Sequence, residues 1–294
     1  MLKRKLVRAG LFGNGLVIVI VSVYSINYRQ PVKATATLSI DPIIRQLETF
    51  DSSFIELSGM PSNVLTDVPK IHLNARMIKY VKDYNNRNLE ALEKVKERSA
   101  LCFPLMDSIF NRYHLPVELK YLAAIESELK TKAVSHVGAV GPWQLMTSTA
   151  HDLSLKIKGN YDERTNYGKS TVAAAKYLRD LYHQFGDWLL VVAAYNSGPG
   201  KVLAAIKQSG SHNFWVLQNY LPAETKGHVK RFIATHYYFE DYGSVVTLTK
   251  AETISYRNEV SKFIASQKTE RPKGEVLASV TKSSRTDPEL SERN

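Results

Sequence analysis

This sequence predicts a mainly α-helical fold, and three observations carry that prediction. Strand-type alternation is scarce between Asn74 and Tyr242; helix-length segments there are divided by Gly and Pro; and apolar residues recur at spacings of three and four, beginning with Met77, Tyr80, Val81 and Tyr84. At 294 residues, 44% hydrophobic and 23% charged, the composition is that of a globular protein rather than a disordered or multiply membrane-spanning one.

The segments follow in order. Lys3, Arg4, Lys5 and Arg8 precede an uncharged run from Ala9 to Tyr28, of which Leu16 to Val23 is almost wholly apolar. A basic flank before such a run reads as an export signal or a membrane anchor whose basic end stays in the cytoplasm. No clean small-x-small cleavage site follows Ser25, so residues 1–30 are read as a membrane segment spanning 9–28, with a cleaved signal as the alternative. Residues 31–73 contain Pro31, Pro42, Pro61 and Pro69 among short apolar patches and read as a tether. A helical extension is expected over 74–103, the motif-rich domain over 104–243 and a weakly structured tail over 244–294.

Charge narrows the partners. The formal balance is +11, yet residues 104–243 carry 15 basic and 12 acidic side chains, so no basic stripe marks a nucleic-acid track. Cys102 is the single cysteine, which excludes an intramolecular disulfide or a thiolate zinc cluster and suits an exported protein. None of the eight histidines has a second strong ligand at metal-binding spacing, and no phosphate-cradling glycine loop is present, so no metal or cofactor is expected.

One carboxylate stands out. Pro116 and Glu118 mark a helix start within Leu115 to Lys130. Winding that segment at about 100° per residue places Glu126 in the arc of Leu115, Leu119, Leu122, Ile125 and Leu129, with Glu128 on the opposite side. An ionisable group in an apolar stripe finds a partner or has its protonation shifted toward the neutral form. A general acid working near neutral pH needs the second outcome. Spacing alone leaves both open, since pairing with an Arg or Lys would also satisfy it.

Four motifs in sequence then carry a resemblance: IESE (Ile125 to Glu128), GAVGPWQLM (Gly138 to Met146), AAYNSGPGKV (Ala193 to Val202) and ETKGHV (Glu224 to Val229). Their order and spacing resemble the soluble-lytic-transglycosylase-like, lysozyme-related lytic transglycosylases, most of all the membrane-bound D-type branch. The resemblance implies a lysozyme-like helical catalytic domain at the periplasmic face of the cell envelope, acting on peptidoglycan glycan strands. The reaction it implies is cleavage of the β-1,4 bond between N-acetylmuramic acid and N-acetylglucosamine, closing a 1,6-anhydromuramoyl end. Glu126 would be the catalytic acid and then base, with Ser127, Gln144, Met146, Tyr195, Asn196, Glu224 and His228 contacting substrate. Asp162 and Arg164 match a recurring pair expected to brace the fold, and Trp143 is expected under the glycine loop. Three positions depart from the family: Pro142 for a usual leucine, Thr147 for a common proline, and His228 for a usual tyrosine. Rival readings are a hydrolase of the same bond and a catalytically weak glycan-binding protein.

Overall fold

A computed structural model describes residues 69–270, and it is mainly α-helical. Asn74 accepts from the Met77 amide at 3.0 Å and opens α1 (Ala75–Arg87), which buries Met77 and Val81. Asn88 separates α1 from α2 (Leu89–Arg112) and donates its side-chain amide to Tyr84 O at 2.7 Å. α2 buries Leu92, Val95, Cys102, Met106, Ile109 and Phe110 and runs unbroken through Pro104. The boundary expected between 103 and 104 is therefore absent: apolar residues on both sides of the proline enter one core, and this outweighs the missing amide.

A 3-10 turn at Val117–Lys120 leads into α3 (Tyr121–Ser127). α4 (Thr147–Asp152) follows a glycine-rich loop, and β1 (Ile157–Lys158) pairs antiparallel with β2 (Tyr161–Asp162). α5 (Tyr167–Phe185) is capped by Asn166 and ends at Gly186, whose φ of 60° is left-handed.

The centre is α6 (Trp188–Ser197). Asp187 accepts from the Leu189 and Leu190 amides, and every residue from Trp188 to Ala194 is buried. A helix apolar on all sides must be enclosed, and α5, α7 (Pro199–Ser209) and α9 (Ala223–Glu240) enclose it. Each fully buried Leu or Val side chain there contributes about 1.5–3 kcal/mol. Gly198 and Pro199 end α6 and start α7 in a single turn, and α8 (Phe214–Leu217) leads on to α9.

The tail expected over 244–294 is corrected as far as it is described. Val245, Val246 and Leu248 are buried, and α10 (Lys250–Glu270) continues the fold, burying Val260 and Ile264. The Lys250 amide donates to Asp187 Oδ2 at 2.6 Å, so one carboxylate caps α6 and holds the start of α10. The expected membrane segment and nearly all of the tether lie outside the described residues. Among those described, no helix is long and apolar enough to cross a membrane.

Candidate active site

Glu126 occupies the last turn of α3, and the helix stops directly after it. Glu128 and Leu129 take φ of 53° and 63°, a left-handed conformation that costs a side-chain-bearing residue about 1 kcal/mol or more each. Contacts from other elements hold the turn. Arg98 donates to Glu128 O at 3.0 Å, Lys130 and Arg98 pair with the Glu128 carboxylate, and the Tyr167 hydroxyl donates to Leu129 O. Burying Leu129 completely then draws the chain inward and leaves Glu126 at the edge.

The Glu126 side chain is 16% exposed, and its partner is a histidine: His228 Nε2 lies 2.9 Å from Oε1. No Arg or Lys pairs with Glu126 among the described residues. His228 stands on the second turn of α9 with its side chain 3% exposed, and its Nδ1 is buried without a hydrogen-bond partner among the described residues. A sugar contact was expected at His228. The burial corrects this, because a ring enclosed by α9 and facing the α3 terminus offers substrate almost no surface.

Ser127 also points inward. Its hydroxyl lies 2.9 Å from Pro142 O and 3.2 Å from Ala123 O, tying the end of α3 to the glycine loop. With 8% exposure and its proton committed to backbone, it supports the turn rather than meeting a ligand. Position 142 thus contributes its carbonyl, and the proline ring there is compatible with that bond.

The loop is pinned from beneath. Trp143 is fully buried, donates Nε1 to Thr171 Oγ1 at 2.9 Å and meets Phe110 edge-on. Gly141 has φ of 85°, and a Cβ there would stand 2.0 Å from Arg164 O, so only glycine fits. Arg164, 6% exposed, pairs with Asp162 and spreads Nη1 over Gly138 O, Leu145 O and Thr147 Oγ1. The threonine at 147 therefore supplies a hydroxyl to the brace where a proline could not. Gln144 takes φ of 46° and donates Nε2 to Ala133 O and Gly141 O. Its carbonyl oxygen has no partner among the described residues. Met146, next along, is 41% exposed.

α6 delivers Tyr195 and Asn196 at its end. Tyr195 donates to Trp143 O at 2.7 Å; burial first, then the Glu126 charge, hold its phenol well above the ordinary value, so it acts as a fixed donor. Asn196 Oδ1 accepts from Thr225 Oγ1 at 2.8 Å, joining α6 to α9. Sequence reasoning missed Thr225; its place three residues before His228 on one helical face was the available signal. Glu224 is exposed in the first turn of α9, four residues before His228. A separate open depression lined by Ile71, His72, Leu248, Tyr256 and Glu259 shares no residue with this cluster.

Residues 109–218 match the family model described as "Transglycosylase SLT domain", a match that covers α3 to α8 and ends before α9, which carries Glu224 and His228. Membrane-bound lytic murein transglycosylase D of Escherichia coli, in strains K12 and CFT073, is 43% identical over 126 residues, 41% of this chain and 27% of that protein. The chain thus spans about a quarter of the length of these curated relatives. Among solved structures, the 70 kDa soluble lytic transglycosylase SLT70 from Escherichia coli is 21% identical with a TM-score of 0.42, over 81% of this chain and 42% of that one. The stretch from the end of α2 through α8, which contains Glu126, Gln144 and Tyr195, is thus the part of the chain that is similar to transglycosylase SLT domains.

Proposed function

We propose that this chain is a peptidoglycan lytic transglycosylase, cutting the β-1,4 bond after N-acetylmuramic acid and leaving a 1,6-anhydromuramoyl end. The observation that carries the reading is Glu126: a part-buried carboxyl at a helix end, one oxygen held by His228, unpaired with any described Arg or Lys, inside the stretch similar to SLT domains. The two Escherichia coli relatives are named membrane-bound lytic murein transglycosylase D.

On this reading protonated Glu126 donates from Oε2 to the glycosidic oxygen as the bond opens toward an oxocarbenium-like state. The carboxylate then takes the proton of the muramoyl C6 hydroxyl, whose oxygen closes on C1. No water is consumed, and Glu126 ends as it began, protonated. Gln144 through its carbonyl oxygen, Met146, Asn196 and Glu224 line the path of the glycan, while Tyr195 and Ser127 hold the loop and helix that shape it. The segment 9–28 would anchor the chain so that this domain works at the periplasmic face of the membrane, in line with a relative named membrane-bound.

Digesting purified sacculi with the full chain and weighing the muropeptides tests the reading. Products lighter by one water than those of a lysozyme digest are expected. Reducing ends would make the protein a hydrolase, and binding without cleavage would make it a glycan-binding module.

A further inference from the structure

We infer that His228 is the positioning residue of the Glu126 carboxyl, its Nε2–H donating to Oε1 so that Oε2 alone faces the substrate. This rests on the reading of Glu126 given above and adds the device that orients it.

The argument starts at the unpartnered nitrogen. Nδ1 of His228 is buried and meets no hydrogen-bond partner among the described residues. A proton there would be an orphaned buried donor, costing about 1–3 kcal/mol, whereas a bare lone pair is the smaller loss. The neutral ring therefore carries its proton on Nε2, which stands 2.9 Å from Oε1. Oε1 accepts that bond whether Glu126 is ionised or protonated, so the catalytic proton is confined to Oε2.

Such an orienting contact matters because the terminal torsion of a glutamate is broad and roughly two-fold, and the side chain alone selects neither oxygen. The ring is itself fixed. Thr225, one turn earlier, is tied to Asn196, and Val229 and Phe232 beyond it are fully buried. Of the other polar groups, Tyr195, whose phenol feels the Glu126 charge, donates to Trp143 O, and Glu224 is exposed.

The test has two arms, both on the full chain. Nitrogen NMR of 15N-histidine-labelled protein, with His228 assigned by its loss in His228→Gln, should find the Nε2–H tautomer and a shift of that signal in Glu126→Gln. An Nδ1–H tautomer overturns the inference. In the kinetic arm, on soluble glycan strands, His228→Leu should lower kcat about 10²-fold with KM changed less than about twofold, the cost of a misplaced group. His228→Gln, whose amide nitrogen reaches the place of Nε2, should recover most of kcat, and the shorter His228→Asn should not. A loss in KM alone, or equal kcat for Gln and Asn in proteins of equal melting temperature, overturns it. If the wild type cleaves nothing, the reading of Glu126 falls, while the tautomer result still decides the hydrogen bond.

Discussion

Helix α9 buries a histidine near each end, and the two ends do different work. At its start, His228 turns to a carboxyl on another element whose side chain still reaches solvent. Toward its end, His236 is fully buried, with Nε2 2.8 Å from Ser244 Oγ and the Tyr121 ring edge-on at 5.5 Å. Beside it Tyr121 donates to Glu240, and Lys120 pairs with Asp107 at 2.8 Å. Burial first, then Glu240, raise the Tyr121 phenol far above its ordinary value, so that end holds donors that keep their protons. Burial of ionisable groups alone therefore does not mark a reactive site. What sets the first end apart is the kind of group that holds its carboxyl: a histidine ring nitrogen on Glu126, against a tyrosine hydroxyl that keeps its proton on Glu240.

The largest expected effect tests that distinction. Glu126→Gln should reduce cleavage of sacculi by about 10²–10⁴-fold, the contribution of a positioned general acid, while its unfolding midpoint in urea stays near that of the wild type. A variant that digests walls at the wild-type rate would erase the difference between the two ends of α9.

Next comes acid. Burial lowers the His236 pKa from 6.5 to about 3, so the folded protein keeps the ring neutral where the unfolded chain would protonate it. The stabilisation is complete above pH 6.5 and is lost as pH falls toward about 3, at up to about 1.4 kcal/mol per pH unit. Burial raises the Asp187 carboxyl from 3.8 to about 6, which works in the opposite direction across this range. Urea unfolding between pH 6.5 and about 5 should therefore show the His236 contribution as the difference from His236→Gln: the wild type loses stability relative to the variant as pH falls. Tyr121→Phe follows, with an expected loss of about 1.5–3 kcal/mol for a hydrogen bond to a carboxylate and unchanged activity per folded molecule. Equal damage to activity would mean that the two ends are coupled.

How much of this was legible depended on how local each cause is. The helical spacing of Met77, Tyr80, Val81 and Tyr84 has its cause among near neighbours and forms α1, and Asp162 and Arg164, expected from the resemblance to brace the fold, do form a salt bridge. Glu126 was marked by its place in an apolar arc, but the left-handed stop behind it was not legible, because Arg98 and Tyr167 hold it from 30 and 38 residues away. Ser127 and His228 were both expected to face substrate and instead turn inward; a motif gives a residue's place in the chain, not the direction of its side chain. The boundary placed between 103 and 104 falls inside α2, which buries residues on both sides of it.

The C-terminal helix gives the smallest and most local test. α10 buries only Val260 and Ile264 among its described side chains, so no continuous apolar stripe announced it. Yet Thr249-Lys250-Ala251-Glu252 is the pattern of a capping box, and the structure forms it. The Thr249 amide donates to Glu252 Oε2 at 2.7 Å, the Glu252 amide reaches Thr249 Oγ1 at 3.3 Å, and Trp215 Nε1 donates to the same carboxylate. Removing that carboxylate with Glu252→Ala should cost about 1 kcal/mol, as a lost cap does. Hydrogen exchange should quicken in α10 first, while α6 stays protected through its own Asp187 cap. Unchanged exchange in α10 would mean that the Lys250–Asp187 bond and the buried Val245–Leu248 segment suffice to hold this helix.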